Sequence, residues 1–264
     1  MKKILLLTVI ILAALAVLAH EFWLEPKKFI YKKGETANIT FRVGENFTGE
    51  NWNGNRQKIK SLDFFSNGSK TDMSSAIGDA KGDSLQLTFM QEGTAMIAYN
   101  GHNSFIQLEP GKFNAYLKED GLTEIIEYRK KNDQWDSTGK EFYQRSVKTI
   151  LQIGKKLTQD YRKPTTLPLD ITPNINPYSI SDSAGISCKL LFKGKPLTSH
   201  LCKIWNHYNG KTIMQEKLSD SKGEIRFMVH AKGRWMVSAV KMISSEDPAA
   251  QWQSYWGSAT WGYY

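Results

Sequence analysis

Cysteine is nearly absent from this 264-residue chain, with Cys188 and Cys202 its only two. Two thiols cannot build the cross-linked framework of a small disulfide scaffold, and no Cys-x-x-Cys pair offers a zinc or redox motif. Histidine is scarce as well: five residues, none in His-x-x-x-His spacing, which leaves out the helical zinc-hydrolase pattern. The sequence has no acidic calcium loop, no nucleophile elbow and no glycine-rich loop opening a helix, so calcium-sensor, hydrolase and nucleotide-binding readings lack their motifs. The formal charge of +9 is spread along the chain rather than gathered in one basic block. No nucleic-acid motif accompanies it. A solvated basic surface is expected, with no nucleic-acid partner.

Long apolar runs are missing too, with one exception. Lys2 and Lys3 precede a run from Ile4 to Val17 that is apolar apart from Thr8, and Val17-Leu18-Ala19 offers small side chains at −3 and −1. That is the composition of a Sec-type export signal, cleaved between Ala19 and His20. A bilayer span needs about 20 apolar residues, and polarity resumes at once with His20 and Glu21. The expected mature chain is therefore periplasmic or secreted, begins at His20 and does not span a membrane.

What the rest of the chain does have is alternation. Ala37, Ile39, Phe41 and Val43 alternate with polar neighbours, as do Leu85, Leu87 and Phe89; Met96 to Tyr99 follow after Glu92-Gly93. Period-two patterning with turn signals at Gly34, Asn67-Gly68 and Gly82-Asp83 predicts antiparallel β-structure. It returns late, in Ile225, Phe227 and Val229 and in Trp235, Val237 and Ala239. Between these stretches, Phe113, Tyr116 and Leu117 fall at helical spacing until Gly121, and Thr123 is placed to cap a second short helix. A longer helix is predicted from about Lys140 to Ile153, with Tyr143, Val147, Ile150 and Leu151 on one stripe. Pro164, Pro168, Pro173 and Pro177 mark an extended connector.

The predicted fold is mainly β, with two immunoglobulin-like or transthyretin-like sandwiches and a helical insert between them. Its parts are a signal peptide (1–19), an N-terminal sandwich (20–108), the insert (109–160), a proline-rich connector (161–178) and a C-terminal sandwich (179–264).

Several segments resemble one family across nearly the whole mature chain. They are His20-Glu21-Phe22-Trp23-Leu24-Glu25-Pro26, Lys112 to Leu122, Lys140 to Lys148, Leu191 to Leu197, Asp220 to Glu224, and Trp252 to Trp256. The similarity is to a periplasmic domain-of-unknown-function family historically labelled a NikM-like nickel-transport component. The resemblance implies a periplasmic location and an association with nickel or cobalt uptake systems. Lys241 precedes Met242 where relatives often carry a His, a departure that removes one conceivable ligand.

His20 is the first candidate metal ligand. Once exposed by cleavage, its α-amine (pKa about 7.7–8.0) and imidazole (about 6.5) belong to one residue and can chelate one ion, losing protons to it at neutral pH. Such nitrogen donors suit nickel, copper or zinc. His102 is a weaker candidate. Elsewhere the structural readings prevail: isolated histidines on strands, an ordinary helical pair between Glu141 and Arg145 with Lys148 on the same stripe, and a hairpin centred on Lys195 that sets Cys188 opposite Cys202. That register leads either to a disulfide or to two buried thiols.

The sequence thus leads to a non-enzymatic metal-binding accessory for nickel, cobalt or copper, working with an uptake transporter or outer-membrane receptor. A second reading is an interaction or carbohydrate-binding module using surface aromatics such as Trp252, Trp256 and Trp261. A copper redox enzyme on the same amino-terminal chelate is the third.

Overall fold

The computed structural model describes residues 21–264, and among them the chain forms three β-sheets and two α-helices. The first sheet holds β1 (Glu21–Pro26), β3 (Thr36–Glu45), β4 (Thr48–Asn51) and β7 (Leu85–Thr88). The central sheet has ten strands: β2 (Ile30–Tyr31), β5 (Ile59–Ser66), β6 (Ser69–Asp72), β8 (Gly93–Gly101), β9 (Ser104–Leu108), β10 (Gly139–Ile153), β14 (Leu201–Tyr208), β15 (Lys211–Leu218), β17 (Arg234–Ser244) and β18 (Trp252–Gly262). The third sheet contains β11 (Leu169–Pro173), β12 (Ser183–Phe192), β13 (Lys195–Pro196) and β16 (Glu224–His230). The helices are α1 (Pro110–Glu119) and α2 (Thr123–Lys131).

β10 connects the halves. It pairs antiparallel with β8 on one side and parallel with β18 on the other, with Glu141 beside Trp252 and Thr149 beside Thr260. Successive side chains on a strand point to opposite faces. Val147, Leu151 and Ile153 therefore enter the core under the first sheet, with Phe22, Phe41 and Ile97. Ile150, one step out of phase, enters the core under the third sheet, with Leu169, Cys188 and Val237. The mainly β, sandwich-like expectation holds, but the two layered cores share one continuous sheet through this strand.

The helix predicted over Lys140–Ile153 is thus a strand. Tyr143, Val147 and Ile150 have helical spacing by coincidence, because the strand is buried on both faces and lacks apolar–polar alternation. The segment 109–160 therefore contains the central strand as well as two helices, and the proline-rich stretch 161–178 contains β11. With a period of two, Glu141 and Arg145 share a face while Lys148 points the other way, so the three-residue stripe dissolves. Lys148 is buried under the third sheet, paired with Asp170 and 2.8 Å from Thr172 Oγ1.

Helix α1 ends as its sequence foretells. Gly121 has φ of +64°, Gly121 N–H donates to Lys118 O at 3.2 Å and Leu122 N–H to Leu117 O at 2.8 Å. This is the Schellman pattern, in which glycine takes the left-handed position. It turns the chain directly after Asp120. Thr123 is the first residue of α2 rather than its cap: the capping position belongs to Leu122, which makes no side-chain cap bond. Both helices pack on the central sheet through Phe113, Leu117 and Ile125 against Val240, Met242 and Trp252. Behind them Arg129 is fully buried, donating to Asn114 Oδ1 at 3.2 Å and Ser137 O at 2.6 Å, with its guanidinium 4.9 Å from the Phe113 ring.

Candidate functional site

The expected hairpin between Cys188 and Cys202 does not form. β13 is only two residues long and pairs back on β12, after which the chain crosses to the central sheet. Cys188 lies beside Pro173 and Ile225, Cys202 beside Lys217, and the two face a common core from opposite sheets. Both are free and fully buried. Burial pushes the Cys202 thiol up to about 12 and Cys188 higher still, so neither is poised as a nucleophile or metal ligand.

The aromatic tail faces inward. Trp252 and Trp261 are buried, and Trp256 is half-buried and stacked on Tyr116 at 5.6 Å. Trp252 and Trp261 are core residues rather than parts of a surface platform.

The histidines are dispersed. His20 lies outside the described residues. His102 is exposed at the turn between β8 and β9, with its backbone N–H on Lys58 O. His200 is buried with Nε2 2.7 Å from Val240 O, and burial lowers its pKa. His207 contacts Thr212 Oγ1 at 2.8 Å through Nδ1. Among the described residues, no three His, Cys, Asp or Glu side chains converge as a metal site.

What the structure does bring together is a set of buried carboxylates. Glu21 opens β1, Asp120 sits at the Schellman turn of α1, and Glu141 is on β10; they are 5 %, 5 % and 2 % exposed. Lys203 on β14 reaches between them, with Nζ 2.8 Å from Asp120 Oδ1 and 3.9 Å from Glu119 Oε1. Glu21, Asp120, Lys203, Ser238, Trp256 and Ser258 are among the walls of a small chamber of about 10 Å³, close to the room one water-sized sphere needs. Glu141 lies alongside, accepting from Ser254 Oγ and from Tyr116 Oη at 3.2 Å.

The electrostatics are unusual because the desolvated acids outnumber the bases. Burial raises Glu21 to about 8 against the pull of Lys203, raises Asp120 to about 6, and raises Glu141 to about 7. Burial alone would depress Lys203, but Asp120 and then Glu21 carry its pKa above the ordinary lysine value. Each acid keeps one oxygen without a hydrogen-bond partner: Glu21 Oε2, Asp120 Oδ2 and Glu141 Oε2. A buried carboxylate oxygen left unpaired costs roughly 1–3 kcal/mol or more. Three in one neighbourhood are the chemical signature of a place that can accept a cation or hold protons. The acids are 99 and 21 positions apart along the chain by their numbering, and no local motif announces them. The one signal available was Glu21 itself, a charge leading into the apolar strand Phe22-Trp23-Leu24.

Residues 17–242 match the profile of a family described as a domain of unknown function, DUF4198. The chain belongs to that family. The DUF4198 match includes all three carboxylates and Lys203, while the chamber's β18 wall, Trp256 to Ser258, lies beyond it. No curated protein matches the chain. Among solved structures it is similar to dimeric latent PorU from Porphyromonas gingivalis, at 8 % identity and a TM-score of 0.23, covering 90 % of this chain and 20 % of that one. The chain thus spans about a fifth of that protein's length, and a likeness this weak carries no argument. Among the described residues, no helix is long and apolar enough to cross a membrane.

Proposed function

We propose that this protein is an exported, non-enzymatic metal-binding accessory of the NikM-like kind, which captures nickel, cobalt or copper for an uptake transporter or outer-membrane receptor. Its cargo is held where the amino-terminal segment meets the carboxylate chamber. One observation supports the reading. Glu21 and Asp120 line the same small pocket and each has a buried oxygen without a hydrogen-bond partner, and Glu21 is joined by a single peptide bond to residue 20. Cleavage after Ala19 makes that residue a terminal histidine, adding an amine and an imidazole to the two oxygens.

Two carboxylate oxygens and two nitrogens form a donor set suited to divalent first-row metals. Neither half is sufficient alone, which agrees with the absence of a three-ligand cluster among the described residues. Lys203 serves the metal-free protein: its ammonium compensates Asp120 until a divalent ion takes over that charge. Because burial holds Glu21 at about 8, loading at neutral pH releases protons and affinity rises with pH.

The test is calorimetry with Ni²⁺, Co²⁺ and Cu²⁺ on correctly processed protein, on the same protein with one extra residue before His20, and on Glu21→Gln. Binding that weakens at least about tenfold in both altered forms is the expected result. Equal affinity in the extended form, or an exported protein whose amino terminus is not His20 by mass spectrometry, removes the proposal.

A further inference from the structure

The same end of the first sheet, where Glu21 and Phe22 pair with Gly44 and Val43, carries a second feature that the metal reading does not use. A cleft of about 920 Å³ opens between the β3–β4 hairpin and the β8–β9 turn, within the size range of small-molecule sites. Its floor is aromatic: Trp52 and Tyr99 are 3 % exposed and meet edge to face at 5.9 Å. Trp52 is fixed by its Nε1–H on Asp83 O at 3.1 Å and by stacking on Phe41 at 4.5 Å. Phe105 stands at the rim, 49 % exposed and packed against Phe142 at 5.5 Å.

Into this cleft β10 projects Tyr143 and Arg145. The Arg145 guanidinium lies 4.5 Å from the Phe22 ring and 5.3 Å from the Tyr143 ring. Among the described residues it has no carboxylate within 4.0 Å and donates to no protein oxygen. The contrast with the other largely enclosed cations is plain. Lys148 has Asp170, Lys203 has Asp120, Arg234 has Glu25, and Arg129 has carbonyl oxygens. Glu45 and Glu50 line the cleft too, but both are exposed on its hairpin wall, while Lys58 adds positive charge at the other wall.

A guanidinium has five N–H donors in a planar fork, matched to a carboxylate and costly to leave unmet. Aromatic faces around it lower the cost of enclosing a ring. We infer that this cleft is a binding site for a small organic carboxylate bearing a ring, its carboxylate paired with Arg145 and its ring seated on Tyr99, Tyr143 and Phe105. Such chemistry is found in acidic sugars and in aromatic acids, and the polar amides of Asn51 and Asn53 along the hairpin wall suit the hydroxylated kind.

The experiment compares matched probes by calorimetry on the processed protein: glucuronate against methyl glucoside, and benzoate against benzyl alcohol. The charged member of at least one pair is expected to bind about tenfold or more tightly than its neutral partner. Preference in the first pair alone identifies an acidic sugar, and preference in the second alone an aromatic acid. Arg145→Gln is expected to abolish the preference, and Phe105→Ala, an exposed rim change, to weaken both members of the pair alike. In parallel, the Arg145 Nε–H resonance should shift saturably on adding the preferred acid to wild-type protein, which decides the matter even where Arg145→Gln fails to fold. No preference in either pair at millimolar concentrations, an unmoved resonance, or a preference that survives in folded Arg145→Gln overturns the inference.

Discussion

Lys203 Nζ lies 2.8 Å from Asp120 Oδ1, joining residues 83 positions apart with both side chains buried. The pair holds α1 to β14 and is the positive pole of the carboxylate chamber. A buried pair stripped of one member leaves an uncompensated charge. Lys203→Met is expected to cost about 3–5 kcal/mol in urea unfolding at pH 8. The loss should shrink below pH 6, where Asp120, raised to about 6, takes up a proton. Adding Asp120→Asn should restore part of it. Equal losses at both pH values would show that the pair is not electrostatically coupled.

Glu141 gives a pH dependence with a definite sign. Burial holds its carboxyl at about 7, against 4.5 for an ordinary glutamate. An acid with a higher pKa in the folded state binds its proton more tightly there, so its contribution is complete below about pH 4.5 and disappears as the pH rises through 7. Glu21, raised to about 8, acts in the same direction. The protein is therefore expected to lose on the order of several kcal/mol between about pH 4.5 and 8, and Glu141→Gln to flatten the profile. Unfolding curves at fixed ionic strength measure this; a rise in stability across the window would contradict it.

Gly121 places Asp120. Its φ of +64° disfavours any side chain, and an added Cβ would approach Leu201 Cδ2 to 2.7 Å. Gly121→Ala should destabilise by roughly 1–3 kcal/mol. Gly111→Ala, in α1 with open space around it, should be neutral or slightly favourable. Thermal melts of the two variants provide the comparison.

The thiols offer a simple chemical check. Cys188 and Cys202 are free and buried, with raised pKa values. Ellman's reagent should find no reactive thiol in the native protein and both in denaturant. A denatured protein with none would show that the two facing sheets are bridged.

Much of the β pattern was legible because half-buried strands advertise themselves: Ala37 to Val43 is β3, Ile225 to Val229 is β16, and Trp235 to Ala239 is β17. The turn at Asp220 to Gly223 was readable too, with Gly223 N–H on Asp220 O at 2.9 Å. β10 was not, because a strand covered on both sides has no alternation to read. The chamber was hidden for a different reason. Whether Glu21 or Asp120 is exposed or buried depends on partners a hundred residues away, and the charge of a side chain says only that burial is improbable. Arg145 looked like a helical ion-pair partner of Glu141, and changing the period from 3.6 to 2 is what frees it for the cleft.

The parallel pairing of β10 with β18 sets a timetable for folding. The β8–β10 half of the central sheet is translated long before β18, yet Glu141 to Thr149 keep an unclosed edge until Trp252–Gly262 arrives beside them. Contacts between such distant segments form slowly. The central sheet therefore stays incomplete along β10 until β18 has been made.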